Sequence, residues 1–196
     1  MYYVLYPAAD ADGNMMGLTY QRDHPARSFV RGQPLADANA QPWERPPAEP
    51  LRLTIKKSRE TAPLPSYLPE PVPLISEALL SVLRSAGVDN IDVYRAELYF
   101  EDGRLASDRH YVFNLIGLVQ AADMQRSAYD KDQPDRLVSM GFDALAIDPN
   151  ASRGMLMFRL AEHVPTVIVH EAVKRAIEAA AIPLVSLLRP DDVALI

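Results

Sequence analysis

The sequence predicts an α+β fold with a mixed, mostly antiparallel sheet, two main helices and a proline-rich N-terminal third. Two stretches each predict a short strand that turns into an amphipathic helix, with the helices at about residues 76–86 and 170–181. The pair Asp102-Gly103 separates two alternating apolar segments, which is typical of a β-hairpin. Nine of the 17 prolines fall within residues 41–73, where they exclude continuous regular structure.

Length and composition predict a globular protein. The chain of 196 residues is 48% hydrophobic and 23% charged, and we expect a single domain with a variable, proline-rich part at 1–68 and a core at 69–196. Its N-terminus predicts a strand rather than a signal peptide, and no apolar run has the length needed to cross a bilayer. These features favour a cytoplasmic protein without a membrane partner. The sequence contains no Cys, which excludes disulfides and thiol chemistry.

The N-terminal third contains a few strand signals. Residues 2–6 are aromatic and β-branched and predict a strand, and the pair at 29–30, Phe-Val, has the same character after a polar loop. Residues 51–58 alternate apolar and polar side chains and predict another strand. Residues 62–73 contain five prolines and predict an extended connector on the surface or along a sheet edge.

The first predicted helix follows a short apolar run at 74–75. Ser76 is a favourable N-cap, because its hydroxyl can accept a hydrogen bond from a free backbone N–H of the first turn. Glu77 adds an acid where the helix dipole favours one, and Gly87 is suited to the position just beyond the helix end. These local signals predict both ends of the helix.

Strands dominate the rest of the chain. Along residues 93–100 the more apolar set, which includes Tyr94, Ala96 and Leu98, is expected to face the core. A type I′ turn is expected at Asp-Gly 102–103, after which a second strand returns through residue 119. Further strands are predicted at 137–149 with a break at Gly141, at 154–161, at 166–169 and at 183–190.

The pair His170-Glu171 matches the start of the zinc-peptidase motif H-E-x-x-H. The position of the second histidine holds Lys174, whose positive charge opposes a bound cation. When the two helical stretches are aligned, His170 falls on Ser76, so the pair marks the entrance of the second helix. We therefore expect His170 to act as an N-cap, and we expect neither a metal nor another cofactor.

Negative charge is concentrated in one stretch. The net charge is −6, and residues 89–135 hold ten acidic and five basic residues. Because no basic surface is evident, nucleic acid is not an expected partner, whereas an acidic surface suits a basic protein. The candidate partner-binding residues are exposed acids at the hairpin tip and in the following polar loop: Glu101, Asp102, Asp130, Asp132 and Asp135.

Several short motifs follow one another in a characteristic order. They are a helix entrance at 75–77, the strand 112–115, an acidic, Ser-containing loop at 123–127, the strand 157–160 and a second helix entrance at 169–171. Over roughly residues 69–188 this order resembles a bacterial immunity-protein family, formerly known as a domain of unknown function, from polymorphic and contact-dependent toxin systems. His170 departs from the serine that is usual in that family at the second entrance, and residues 1–68 match loosely.

This resemblance implies a non-enzymatic, cytoplasmic protein that binds and neutralises a cognate toxin made by the same cell. A toxin that attacks nucleic acid needs a basic cleft, which the acidic stretch of this chain is suited to cover. Two alternatives stay open on the residues alone. One is a protein-interaction or scaffold module without a toxin partner, and the other is an enzyme whose catalytic residues form no recognisable motif.

Overall fold

Strands greatly outnumber helices in the computed structural model, which describes residues 1–20, 25–35, 41, 44–56, 63–129 and 141–195. The strands within these residues are β1 (Tyr2–Pro7), β2 (Gly17–Tyr20), β3 (Leu51–Lys56), β4 (Tyr67–Leu68), β5 (Leu74–Ser76), β6 (Ile91–Tyr99), β7 (Leu105–Leu115), β8 (Leu118–Val119), β9 (Ala128–Tyr129), β10 (Phe142–Ala144), β11 (Met157–Leu160), β12 (Val167–His170) and β13 (Val185–Leu188). The α-helices are α1 (Glu77–Ser85) and α2 (Glu171–Ala179). The predicted α+β class is confirmed, and both helices lie within their predicted bounds.

The strands form two main sheets and one small one. The larger sheet has the order β2-β3-β6-β7-β5-β4, the second has the order β13-β1-β12-β11-β8, and β9 pairs with β10. Neighbouring strands are antiparallel except for the pairs β3–β6 and β8–β11, which are parallel. The prediction of a mixed, mostly antiparallel arrangement is therefore confirmed, although the strands divide between separate sheets.

Each main sheet contains the same strand–helix–strand unit. In the first unit, β5 leads through α1 to β6, and β7 lies between the two strands and is antiparallel to both. In the second unit, β12 leads through α2 to β13, and β1 lies between them in the same way. The two outer strands of each unit are therefore parallel to each other, which is the arrangement of a split β-α-β unit.

The two units also share their strand register. Ser76 lies opposite His110 in the first unit, and His170 lies opposite Tyr2 at the matched position of the second. The other matched pairs include Ile75–Tyr111 with Val169–Tyr3, Leu74–Val112 with Ile168–Val4, and Ile91–Leu115 with Val185–Pro7. In the first sheet the central strand, β7, comes after the rest of its unit in the sequence. In the second sheet the central strand, β1, comes before the rest of its unit.

Both helices begin at the predicted cap residues. The Ser76 Oγ accepts a hydrogen bond from the Leu79 N–H at 3.2 Å. The His170 Nδ1 accepts one from the Ala172 N–H at the same distance. The prediction that His170 replaces serine as an N-cap is confirmed, because an unprotonated ring nitrogen can accept as a hydroxyl oxygen does.

The helix ends match as well, although different residues occupy the left-handed position. Gly87 has a φ of 91° after α1, and Ala181 has a φ of 48° after α2. In both cases the next residue closes the helix, since Val88 N–H donates to the Leu83 carbonyl and Ile182 N–H donates to the Ile177 carbonyl. Glycine adopts this conformation without cost, whereas alanine is strained in it.

Three hydrophobic clusters follow from the alternation of side chains in the sheets. The central cluster takes residues from both helices and both main sheets, including Leu83, Phe113 and Val169. A second cluster covers the opposite face of the six-stranded sheet and contains Tyr94, Ala96 and Leu98, as predicted. The third covers the opposite face of the five-stranded sheet. With apolar material on both faces, β11 and β12 bury nearly every side chain.

The β6–β7 hairpin is confirmed, but its turn is not the predicted type I′. Gly103 has a positive φ of 86°, whereas Asp102 does not. Gly103 N–H donates to the Phe100 carbonyl at 2.9 Å, and Phe100 N–H donates to the Arg104 carbonyl at 2.9 Å. A three-residue loop with a type I turn and a left-handed glycine explains this pattern. The Asp-Gly signal identified the hairpin but not the loop length.

The strand predicted to run through residue 119 breaks instead at Ile116-Gly117. After β7 the chain leaves the six-stranded sheet, and β8 joins the five-stranded sheet beside β11. Asn90 holds this crossing, because its Nδ2 donates to the Ile116 carbonyl at 2.6 Å and to the Met157 carbonyl at 2.9 Å. The sequence did not predict this change of sheet, because the apolar pattern continues across it.

Other differences lie in the N-terminal third and in the 137–149 segment. Residues 26–30, which include Phe29, form a 3-10 helix in place of the suggested strand. The connector before β5 follows a sheet edge as predicted, but it is not superficial, since Tyr67, Leu68 and Val72 are buried in it. The strand β2 was not predicted. Within 137–149 the structure describes only residues 141 onward, where β10 follows Gly141.

Candidate functional site

The hairpin tip carries two of the five candidate partner-binding residues. Glu101 and Asp102 lie in the loop between β6 and β7 and are both exposed. The Asp102 carboxylate accepts hydrogen bonds from the Arg104 N–H at 3.0 Å and from the Arg104 Nε at 2.7 Å. These bonds, first from the backbone and then from the guanidinium, lower the pKa of Asp102. Arg104 therefore offsets much of the charge of Asp102 within the hairpin itself.

Glu101 is the more available acid at the tip. Its carboxylate has no ion-pair or hydrogen-bond partner among the described residues, and it is exposed at the start of the β6–β7 loop. The predicted pair of equivalent acids is thus divided into one that stabilises the turn and one that can engage a partner. Sequence position alone did not distinguish them, since both precede Gly103 in the same short turn.

The other candidates, Asp130, Asp132 and Asp135, lie outside the described residues. The described part of the acidic stretch, residues 89–129, still holds seven acidic and four basic residues. Three of its acids were not singled out from the sequence, although the structure leaves them exposed and without an ion pair in the described parts of the chain: Asp89, Asp92 and Asp108. The acidic character of this stretch therefore extends beyond the hairpin tip.

The residues around the H-E-x-x-K sequence stabilise the fold. His170 contacts Tyr2 edge-on, with the ring centroids 5.3 Å apart, while its Nδ1 caps α2. Lys174 forms an ion pair with Glu178 and places its ammonium 5.0 Å from the centre of the Tyr3 ring. Across the described ranges no group of three or more His, Asp or Glu side chains is arranged to hold a metal ion.

A cavity of about 360 Å³ opens between the two main sheets. Its walls come from β1, β4 and the segments at 15–16, 69–70, 163–166 and 194–195. Apolar residues such as Leu5 and Leu68 form much of the lining, and the polar residues Tyr67, His163 and Thr166 also line it. His163 is held in place, because its Nδ1 lies 2.7 Å from the Thr166 Oγ1. Mixed apolar and polar walls of this kind are typical of ligand pockets.

Arg159 is a buried charge close to this cavity. It is only 1% exposed, and its Nη1 donates to the Val164 carbonyl at 2.7 Å. Its Nε and Nη2 find no acceptor among the described residues, and no described carboxylate forms an ion pair with it. Burial lowers the pKa of Arg159, although arginine remains charged at neutral pH because its ordinary pKa is so high. Burial also raises the pKa of Tyr67 to about 12, against the effect of the Arg159 charge.

This cavity was not predicted from the sequence. Arg159 belongs to the predicted strand 154–161, in which it is flanked by Phe158 and Leu160. An arginine within such an apolar run was a usable signal, since a strand that is buried on both faces leaves no exposed side for a charge. The other cavity residues come from distant parts of the chain, so only the folded structure brings them together.

Neither helix in the described part of the chain is long and apolar enough to span a membrane. A search of curated proteins finds no match to this sequence. A family model does match it, over residues 2–192, and its description is the immunity protein family Imm11. The match extends through the N-terminal third, where the resemblance noted from the sequence was loose, and so includes both units of the fold. The chain belongs to the immunity protein family Imm11.

Proposed function

We propose that this protein binds a cognate toxin in the cytoplasm of the cell that makes it and neutralises the toxin by occupation rather than by catalysis. The single observation that carries this proposal is the family match over residues 2–192. Immunity against a toxin made by the same cell requires a partner that is bound tightly and quickly. The excess of acidic residues at 89–135 supports this proposal, because negative charge favours fast encounter with a basic partner.

The proposed contact residues, called the contact acids below, are Glu101 and Asp102 at the tip of the β6–β7 hairpin and the three acids of the polar segment that follows β9 in the sequence. Glu101 projects from the hairpin tip without a partner among the described residues, while Asp102 is held by Arg104. The loop acids Asp130, Asp132 and Asp135 complete the set. An exposed acid without a described partner, such as Glu101, contributes little to folding, so it is free to serve an interface.

The partner we propose is a basic toxin that attacks nucleic acid. Such a toxin needs positive charge around its cleft to hold phosphates, and an acidic surface can cover that cleft. Complementary charge also steers diffusional encounter, and this raises the association rate more than it raises the affinity. Fast capture is useful when a toxin is made in the same compartment as its target.

Co-expression tests the proposal directly. The protein encoded by the neighbouring upstream gene is induced in a host with and without this chain, and growth is followed together with co-purification. We expect growth arrest by the upstream protein alone, rescue by the wild-type chain, and a stoichiometric complex that survives gel filtration. Glu101→Gln should reduce the rescue less than Glu101→Lys, because it removes the charge without reversing it.

A matched control is available at Glu178, an exposed acid on α2 in the second unit. Glu178→Lys changes the net charge of the chain as much as Glu101→Lys does but on a different element, and the surface ion pair with Lys174 that it removes contributes little to stability. Rescue without any complex, or a complex without rescue, would contradict neutralisation by binding. Equal losses of rescue for both lysine variants would exclude the hairpin as the contact surface.

A further inference from the structure

The cavity between the sheets has the size and lining of a site for a small organic molecule. Its volume of about 360 Å³ lies within the range of natural ligand pockets, from roughly 300 to 1,000 Å³. Two of the most exposed large apolar side chains, Tyr6 at 39% and Met15 at 54%, lie at this cavity. Apolar surface exposed beside an opening favours an occupant with an apolar body.

A buried positive charge lies immediately behind the cavity wall. The Arg159 guanidinium holds the Val164 carbonyl, and the residues on either side of Val164, His163 and Pro165, both line the cavity. On the sheet, Arg159 pairs with Val167, which pairs in turn with the cavity residue Leu5. Arg159 is therefore next to the cavity in two ways: it bonds to the loop that lines the cavity, and only β12 separates its strand from β1.

This charge is not compensated by the described protein groups. Glu162 is the acidic residue closest to Arg159 in the sequence. Its Oε1 accepts a hydrogen bond from the Ala122 N–H at 3.3 Å, and it forms no ion pair with Arg159. Glu70 also faces the cavity, but it is exposed, so solvent screens its charge. A buried cation without a counter-charge destabilises a fold unless an anion approaches it.

We infer that the cavity binds a small organic carboxylate with an apolar body. The apolar part would pack against Leu5, Leu68 and the side chains at the opening, while the carboxylate would lie toward Tyr67 and Arg159. Tyr67 is suited to this contact, because a phenol that stays protonated can donate a hydrogen bond to the carboxylate. Even without direct contact, the attraction to Arg159 is strong at short range in a poorly polarisable interior.

Thermal unfolding with a pair of isosteric probes tests this inference. Benzoate carries the negative charge, whereas benzamide has the same shape and none, and both are added at constant ionic strength. We expect benzoate to raise the melting temperature by roughly 2–4 °C at about five times its dissociation constant. Benzamide should produce a much smaller shift, because it lacks the charge that Arg159 attracts.

Two variants localise the effect. Arg159→Met should fold, since replacing an unpaired buried charge by an apolar side chain is often neutral or stabilising, and its response to benzoate should fall to that of benzamide. Met15→Glu changes an exposed residue at the opening and should raise the dissociation constant of benzoate roughly threefold or more by repulsion. Met15→Gln provides the uncharged control and should bind benzoate nearly as the wild type does.

Equal shifts with benzoate and benzamide in the wild type would overturn the inference. So would a benzoate response that survives Arg159→Met, or one that Met15→Glu and Met15→Gln change equally. The experiment needs no toxin, so its outcome is independent of whether the protein neutralises one.

Discussion

The two split β-α-β units share their strand order and register but differ in the residues at the two ends of the helix. In the first unit Ser76 caps the helix and Gly87 ends it, whereas His170 and Ala181 hold these places in the second. A histidine stands opposite the cap in the first unit, at His110, and at the cap itself in the second. The first unit thus uses the residues that suit each position best, and the second uses substitutes.

This difference shows which features the fold requires. Both helices need an acceptor at the first turn, and either a hydroxyl or a ring nitrogen can provide it. Both need a left-handed residue at the end, and the alanine of the second unit is held there by the closing hydrogen bonds despite its strain. The two units share their geometry, but equivalent positions contribute different amounts to the free energy of unfolding.

The largest effect is expected from truncating the matched core residues of the two central strands. Phe113 of β7 and Leu5 of β1 occupy equivalent register positions and are 0% and 2% exposed. Phe113→Ala should cost about 3–5 kcal/mol and Leu5→Ala about 2–5 kcal/mol. Chemical denaturation followed by both fluorescence and circular dichroism would measure these losses.

Because both residues belong to one central cluster, we propose that the two units unfold together as a single domain. Each variant should then show one transition with coincident probes. Two separated transitions, with one unit surviving the loss of the other, would mean that the units are independent and that the shared cluster couples them weakly.

The next effect concerns the left-handed positions, where the two units should respond in opposite directions. Gly87→Ala should destabilise the protein by about 1–2 kcal/mol, because alanine is strained at positive φ. The added Cβ would also come within 3.2 Å of the Leu156 Cδ1. Ala181→Gly should stabilise it by up to about 1 kcal/mol, since the strain is removed at the expense of a more flexible unfolded chain.

Urea denaturation of these two variants and the wild type measures both changes. Ala179→Gly, inside the last turn of α2, is the matched control and should be destabilising, because glycine is unfavourable within a helix. If Ala181→Gly were as destabilising as this control, the strain assigned to Ala181 would be absent.

A smaller effect is expected at the helix caps. Ser76→Ala should cost about 1 kcal/mol, as expected for the loss of a capping hydroxyl. His170→Ser should change stability by less than about 0.5 kcal/mol, since a better cap replaces the edge-on contact with Tyr2. Thermal unfolding provides the measurement. Stoichiometric zinc in the purified protein that is lost in His170→Ala would instead make His170 a ligand.

The smallest effect concerns the histidine opposite the first cap. Burial lowers the pKa of His110. Its Nε2 lies 3.1 Å from the Pro65 carbonyl oxygen, and its Nδ1 lies 3.0 Å from the Ser107 Oγ. Because only the unfolded chain readily takes up the proton, the contribution of His110 to the free energy of unfolding is complete above the unfolded pKa of about 6.5. This contribution declines as the pH falls from there through the folded pKa. Denaturation between mild acid and neutral pH should show this decline, and His110→Gln should reduce it. An unchanged profile in the variant would assign the pH dependence to other groups.

Local signals explain which parts of this fold were predictable. The ends of α1 depend on Ser76 and Gly87, which act on neighbouring residues, and so the helix limits followed from the sequence. The hairpin likewise followed from Asp102-Gly103. The position of β1 between β12 and β13 did not, because strands far apart in sequence pair through contacts that no local pattern encodes.

The candidate site shows the same limit. Exposure of Glu101 and Asp102 could be expected at a hairpin tip. The hydrogen bonds from Arg104 to Asp102, however, depend on the loop conformation. The cavity combines residues from the N-terminus, the connector before β5 and the loop after β11, so its existence depends on how the two sheets meet. Arg159 alone carried a local signal, as a charge within an apolar strand.

The association rate with the toxin tests most directly whether the contact acids receive the partner. Stopped-flow measurements at low and high salt would compare the wild type with Glu101→Lys, with a variant in which Asp130, Asp132 and Asp135 are all replaced by lysine, and with Glu178→Lys as control. We predict that both contact-acid variants associate several-fold more slowly at low salt and that all four rates converge at high salt, because ions screen the steering. Association of the two contact-acid variants at the wild-type rate in low salt, or slowing by Glu178→Lys alone, would contradict the account.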